Sequence, residues 1–132
     1  MKKAICLLFF IGACSKFDPT ISGLVSLGGT SALERLAGQP NVVCYLILKD
    51  QWGVPVASKR WLNPKFPIHF ALTKTDLLLP TRPWEGPYQL EAYLFLSLDP
   101  NHELPPPPGA AIAIFDKPIS PGNSALELVL HK

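Results

Sequence analysis

Between Pro87 and Leu98 the sequence alternates strictly. Tyr88, Leu90, Ala92, Leu94, Leu96 and Leu98 fall on one side of an extended chain, and Gln89, Glu91, Tyr93, Phe95 and Ser97 fall on the other. A strand with one wholly apolar face has to be covered by a second layer, so this segment commits the chain to a layered β architecture. The same period of two recurs where Phe66, Ile68, Phe70 and Leu72 alternate with Pro67, His69, Ala71 and Thr73, and where Leu126, Leu128 and Leu130 alternate with Glu127, Val129 and His131. Ile21, Gly23, Val25 and Leu27 repeat it near the start of the chain. Val42 to Leu48 is apolar without alternation, which predicts a central strand covered on both faces.

Gly, Pro and Asn punctuate these runs, and the 15 prolines confine regular structure to short segments. The reading is an all-β antiparallel sandwich of about seven strands, at 21–27, 42–49, 55–62, 66–72, 87–98, 111–117 and 125–130. One short helix is predicted at Ser31 to Ala37, capped by Thr30 or Ser31 and ended by Gly38. Asp76 to Leu79 suggests a further helical turn.

The amino terminus carries different information. Lys2 and Lys3 precede an apolar run from Ala4 to Ala13, and Ile11-Gly12-Ala13-Cys14 has the form of a lipoprotein cleavage site. Ten residues of helix rise only about 15 Å, half of the roughly 30 Å hydrocarbon layer, so a spanning helix does not fit. The expected organisation is a signal peptide at 1–13, a lipidated tether at 14–19 beginning with Cys14, and a sandwich domain at 20–132. By resemblance to lipoproteins of double-membrane bacteria, Ser15 in place of Asp after the cysteine favours the outer membrane facing the periplasm over the periplasmic side of the inner membrane.

Charge and cysteine content narrow the functional classes. Removing Lys2 and Lys3 from the 12 Lys and Arg leaves as many cations as the 10 Asp and Glu, and no basic cluster for nucleic acid remains. Lys59 and Arg60 read as solvated strand residues. With Cys6 in the signal and Cys14 acylated, Cys44 is left alone in an apolar strand, where a thiol behaves as a small hydrophobe.

No catalytic residue and no metal ligand set is assigned. His69, His102 and His131 are far apart in sequence, the only methionine is Met1, and no nucleophile, phosphate-loop or zinc motif occurs. Asp99, Glu103 and Asp116 form no recognisable acid–base pair in sequence. No cofactor is expected. What remains is binding: Tyr93 and Phe95 on the polar side of the long strand, and the stiff run Pro105, Pro106, Pro107 and Pro108 before Gly109, are the candidate partner-binding residues. Trp52, Trp61 and Trp84 are read as core residues ahead of interface residues.

These features together resemble a known domain. Gly23-x-Val25-x-Leu27, an apolar second strand, Gly53-Val54-Pro55-Val56-Ala57 with Arg60, and Phe66-Pro67 with Phe70-x-Leu72 occur in order. Asp76, a long strand ending in Leu96-Ser97, a Pro-rich turn into Gly109, and Leu126, Leu128 and Leu130 complete the pattern. From Ile21 to Leu130 the chain resembles the C-terminal immunoglobulin-like periplasmic domain of cytochrome c-type biogenesis protein H. The membrane helices and tetratricopeptide repeats that precede the domain in that family have no counterpart in this sequence. Ala110 and Ala111 follow Gly109 where the family runs Gly-Asp-Leu.

The resemblance implies a periplasmic compartment and, as partner, apocytochrome c or its assembly machinery. The expectation is a non-enzymatic, periplasm-facing lipoprotein that binds or scaffolds an envelope protein and meets the membrane through its lipid. The alternative expectation is a small-ligand or copper carrier of the envelope.

Overall fold

The alternating segments pair into two sheets. In the computed structural model, which describes residues 19–97, 107 and 109–132, the chain runs through β1 (Ile21–Leu27), a helix α1 (Ser31–Ala37), β2 (Val42–Lys49), β3 (Pro55–Leu62) and β4 (Ile68–Leu72). A 3₁₀ turn at Lys74–Asp76 then leads to β5 (Gln89–Leu96), β6 (Ala111–Ile114) and β7 (Leu126–Leu130). One sheet has the order β4-β1-β7 and the other β3-β2-β5-β6. All pairs are antiparallel except β1 with β7, which is parallel. The chain is therefore an all-β two-sheet sandwich.

The core lies between the sheets. Val42, Cys44, Leu46 and Leu48 of β2 and Leu90, Ala92 and Leu94 of β5 meet Ile21 and Val25 of β1, Phe70 and Leu72 of β4, and Leu128 and Leu130 of β7. Helix α1 is too short to be stable alone and is held by Leu33, which is fully buried in that core. Thr30 caps it, accepting a hydrogen bond from the Leu33 N–H at 3.3 Å, and Gly38 ends it.

Gly23 lets β1 and β7 approach. A side-chain carbon there would stand 2.1 Å from the Leu126 carbonyl oxygen. The Ile112 and His131 backbones bridge the two sheets at the β6 edge, with N–H to O distances of 2.8 and 3.0 Å.

Several expected boundaries shift. β4 begins at Ile68, two residues beyond Phe66, because Pro67 offers no N–H to the ladder. β6 stops at Ile114, after which Phe115 donates its N–H to the Leu90 carbonyl at 2.9 Å. β5 begins at Gln89, since Tyr88 forms a separate bridge with Ile119. The 3₁₀ turn sits at Lys74–Asp76, where the Thr73 N–H donates to Asp76 at 2.8 Å, earlier than the turn expected at Asp76 to Leu79.

The long strand departs from its simple two-faced reading. Phe95, expected to face outward, is 2 % exposed and packs with Val43, Tyr45 and Ile47 in a second cluster on the outer face of the four-stranded sheet. Leu96, expected in the core, lies at the strand end and is about half exposed.

Candidate functional site

The β2–β3 hairpin turns through Asp50–Gly53. Asp50 Oδ1 accepts hydrogen bonds from the N–H groups of Trp52 and Val54, each at 2.9 Å, while Gly53 adopts φ +80° and donates to the Asp50 carbonyl at 3.0 Å. The Oδ2 atom accepts from Arg82 Nη2 at 3.0 Å, so both carboxylate oxygens are occupied. The Val54 N–H, the Arg82 guanidinium and the Trp52 N–H together hold the Asp50 carboxyl below its ordinary value, against the opposing effect of its own burial. The turn is fixed by one ionised side chain, which presents Trp52 at its tip with 76 % of its surface exposed.

The segment after the 3₁₀ turn lies against this hairpin. Leu78 donates its N–H to the Val56 carbonyl at 2.9 Å, and Ala57 and Leu77 form a bridge. Leu77 is buried, whereas Leu78 and Leu79 are 53 % and 59 % exposed. A cavity of about 120 Å³ is lined by Asp50, Trp52, Arg82, Pro83 and Tyr88. A neighbouring one of about 270 Å³ continues from Asp50 and Tyr88 to Phe115, Asp116 and Lys117.

Tyr88 joins these cavities to the start of the fold. Its hydroxyl accepts from the Glu85 N–H at 3.0 Å and donates to the Pro83 carbonyl at 3.3 Å, and burial pushes its pKa above the ordinary tyrosine value. Its ring lies 5.7 Å from that of Trp84, whose indole N–H donates to the Pro19 carbonyl at 2.7 Å. Thr20 accepts from Gly122 and Ser22 donates to Asn123, so the chain enters its first strand beside this loop cluster.

A second exposed region lies on the outer face of the four-stranded sheet. Register places Leu62, Val43 and Phe95 in one row, Arg60, Tyr45, Tyr93 and Ile112 in the next, and Ser58, Ile47, Glu91 and Ile114 in a third. Val43, Tyr45, Ile47 and Phe95 are buried, with Tyr93 and Ala110 packed against them. On the flanking strands Leu62, Ile112 and Ile114 are 54 %, 41 % and 57 % exposed.

The Arg60 guanidinium stands 5.7 Å above the Tyr45 ring rather than simply facing solvent, and Lys59 lies 3.9 Å from Asp76. Glu91, though buried, is paired with Lys49 at 2.9 Å and accepts the Tyr93 hydroxyl. Burial and that carboxylate both push the Tyr93 phenol up.

The sequence candidates thus separate. Tyr93 is half-buried on the sheet face and Phe95 is wholly buried there, so Phe95 is a packing residue and not a surface aromatic. Pro107 is half-buried, its carbonyl accepting from the Ala110 N–H at 3.3 Å, while Cys14, Pro105, Pro106 and Pro108 lie outside the described residues. Trp61 and Trp84 pack against the core as expected, and Trp52 does not. The Asp50-x-x-Gly53 turn signature was the available signal for Trp52, because a residue at a hairpin tip projects away from both sheets.

Cys44 is fully buried and its thiol is pushed up to about 12 by burial. Among the described residues no three His, Cys, Asp or Glu side chains gather as a metal site, and no helix is long and apolar enough to cross a membrane. No family model, curated protein or solved structure matches the chain.

Proposed function

We propose that this chain is a non-enzymatic lipoprotein of the bacterial envelope, acylated at Cys14 and facing the periplasm from the outer membrane, that acts by binding another envelope protein. Cytochrome c biogenesis is the setting suggested by the family resemblance, with apocytochrome c or its assembly machinery as the partner. The two-sheet fold is compatible with the immunoglobulin-like domain that the sequence resembles.

The observation that carries the reading is the outer face of the four-stranded sheet. Antiparallel sheets ordinarily turn polar residues toward water on such a face. Here a buried apolar strip on β2 and β5 is flanked by exposed Leu62, Ile112 and Ile114. Exposed branched aliphatic side chains continuous with a packed cluster suit a non-obligate protein interface.

Photocrosslinking in cells tests this reading. A photoreactive residue replacing Ile114 or Leu62 is expected to capture one defined envelope protein. The same residue at Glu127, on the other sheet, is expected to capture none. Equal capture at all three positions, or none at Ile114 and Leu62, removes the proposal.

A further inference from the structure

We infer that the end of the sandwich bearing Trp52, Val54, Leu78 and Leu79 rests on the lipid bilayer, giving the domain a second, non-covalent membrane contact. The inference rests on acylation at Cys14, as proposed above.

Its first support is where the chain enters the fold. The Pro19 carbonyl is held by the Trp84 indole, Trp84 packs on Tyr88, and Tyr88 lines the same cavity as Trp52. The tether therefore joins the sandwich at the end that carries the hairpin tip. From Cys14 to Pro19 the chain spans at most about 17 Å when fully extended. β2 has eight residues and separates the two ends of the sandwich by about 26 Å. A tether shorter than the sandwich cannot leave the acyl chains in the membrane while the far end faces it.

The second support is the chemistry of this end. Among the described residues Trp52 is the most exposed of the large apolar side chains, and Val54, Leu78 and Leu79 are also exposed. Tryptophan is favoured at the headgroup level, where its ring is buried and its indole N–H stays hydrated. The Asp50 turn fixes the backbone of Trp52 in that presentation.

Charges at the same end are balanced. Arg82 is paired with Asp50 and Asp76 with Lys59, while exposed Lys74 and Lys117 are matched by exposed Glu85 and Asp116. Such a surface enters a bilayer interface through apolar contact, so the binding is expected to be insensitive to salt and to anionic lipid content.

The test uses the full processed protein in vesicles of phosphatidylethanolamine and phosphatidylglycerol with brominated acyl chains, which quench nearby indoles. Tryptophan emission is expected to fall, and Trp52→Phe to remove most of that quenching, leaving Trp84, half-buried at the same end, weakly quenched and Trp61, toward the far end of β3, unaffected. Replacing Leu78 and Leu79 together by glutamate, both exposed and so compatible with folding, is expected to abolish quenching of Trp52. The mass of the mature protein is read on the same samples. A mass without acyl chains overturns the anchor and this inference with it. An acylated protein whose Trp52 emission ignores bromination, or is quenched equally in the Leu78, Leu79 double variant, overturns the bilayer contact alone.

Discussion

Gly23→Ala is expected to be the most damaging single-methyl change in this fold. Gly23 lies in the middle strand of the three-stranded sheet, opposite Phe70 on one side and Leu126 on the other. An added Cβ would meet the Leu126 carbonyl oxygen at 2.1 Å, its carbon at 2.7 Å and its Cα at 2.9 Å, all of them backbone atoms that no rotamer change can move. Restoring an ordinary contact of 3.4 Å means parting β1 and β7 by about 1.3 Å at that point. Ladder bonds of about 2.9 Å would open beyond about 4 Å, outside hydrogen-bonding range.

Two or three lost ladder bonds at about 1 kcal/mol each, with strain where Val25 and Leu128 pack below, give a loss of about 3–4 kcal/mol. Against a typical total of about 5–15 kcal/mol this is large and easily read by urea unfolding monitored through the tryptophans. Gly29→Ala is the control: no atom lies within 4 Å of its added carbon, so stability should change by less than about 0.5 kcal/mol. A loss below about 1 kcal/mol for Gly23→Ala would refute the parallel β1–β7 contact as described.

Three further outcomes follow from the buried groups. Phe95→Ala should cost about 3–5 kcal/mol in the same urea assay, the range for emptying a buried aromatic site; a cost below about 1 kcal/mol would show that the outer sheet face is not a second core. Cys44 should resist thiol reagents at pH 8 until the protein unfolds. Because its folded pKa is raised to about 12 from 9.0, its contribution to stability is intact below 9.0 and is lost as pH climbs toward 12, a loss that Cys44→Ala should reduce in alkaline unfolding. The Asp50 value is lowered from 3.8, so its contribution is present above 3.8 and lost as pH falls through the lower folded value. Asp50→Asn should weaken the fold at neutral pH and flatten its stability profile on the acid side of 3.8, and a parallel profile would contradict the role given to the carboxylate.

The strands that lie between covered layers were legible because burial on both faces leaves no room for polar residues. Val42 to Leu48 reads as apolar throughout, and it is the strand flanked by β3 and β5. Helix α1 was legible from its termini, since Thr30 and Gly38 can do their capping only there. The outer sheet face was not, and β5 shows why. Gln89, Glu91 and Ser97 mark one side as polar, but Glu91 is buried with its charge met by Lys49 and its second contact by Tyr93. A polar letter in the sequence carries no record of its partner. The cue that existed lay on the neighbouring strand: if Val43, Tyr45 and Ile47 are covered, then Phe95 and Tyr93, which face them across the ladder, are drawn into the same cluster.

The candidate surface at the hairpin end was harder to read for a different reason. Trp52 lies more than twenty residues before Leu78 and Leu79, and they share one end of the fold because Leu78 pairs with Val56 and Arg82 reaches Asp50. Neither contact has a local signature, and apolar residues in a β protein are read first as core. The proposed tether adds what the composition lacks, an orientation. On the acylation proposed at Cys14, a domain held by a few residues at Pro19 presents its hairpin end to the bilayer. Exposed Leu62 on β3 and exposed Ile112 and Ile114 on β6 lie on a sheet face whose strands run from that end to the other, so in the proposed orientation they face sideways, along the membrane surface. In the proposed orientation the two apolar regions do not compete: the end would set the height and tilt of the sandwich, and the flank would be left open to a protein approaching in the plane of the membrane.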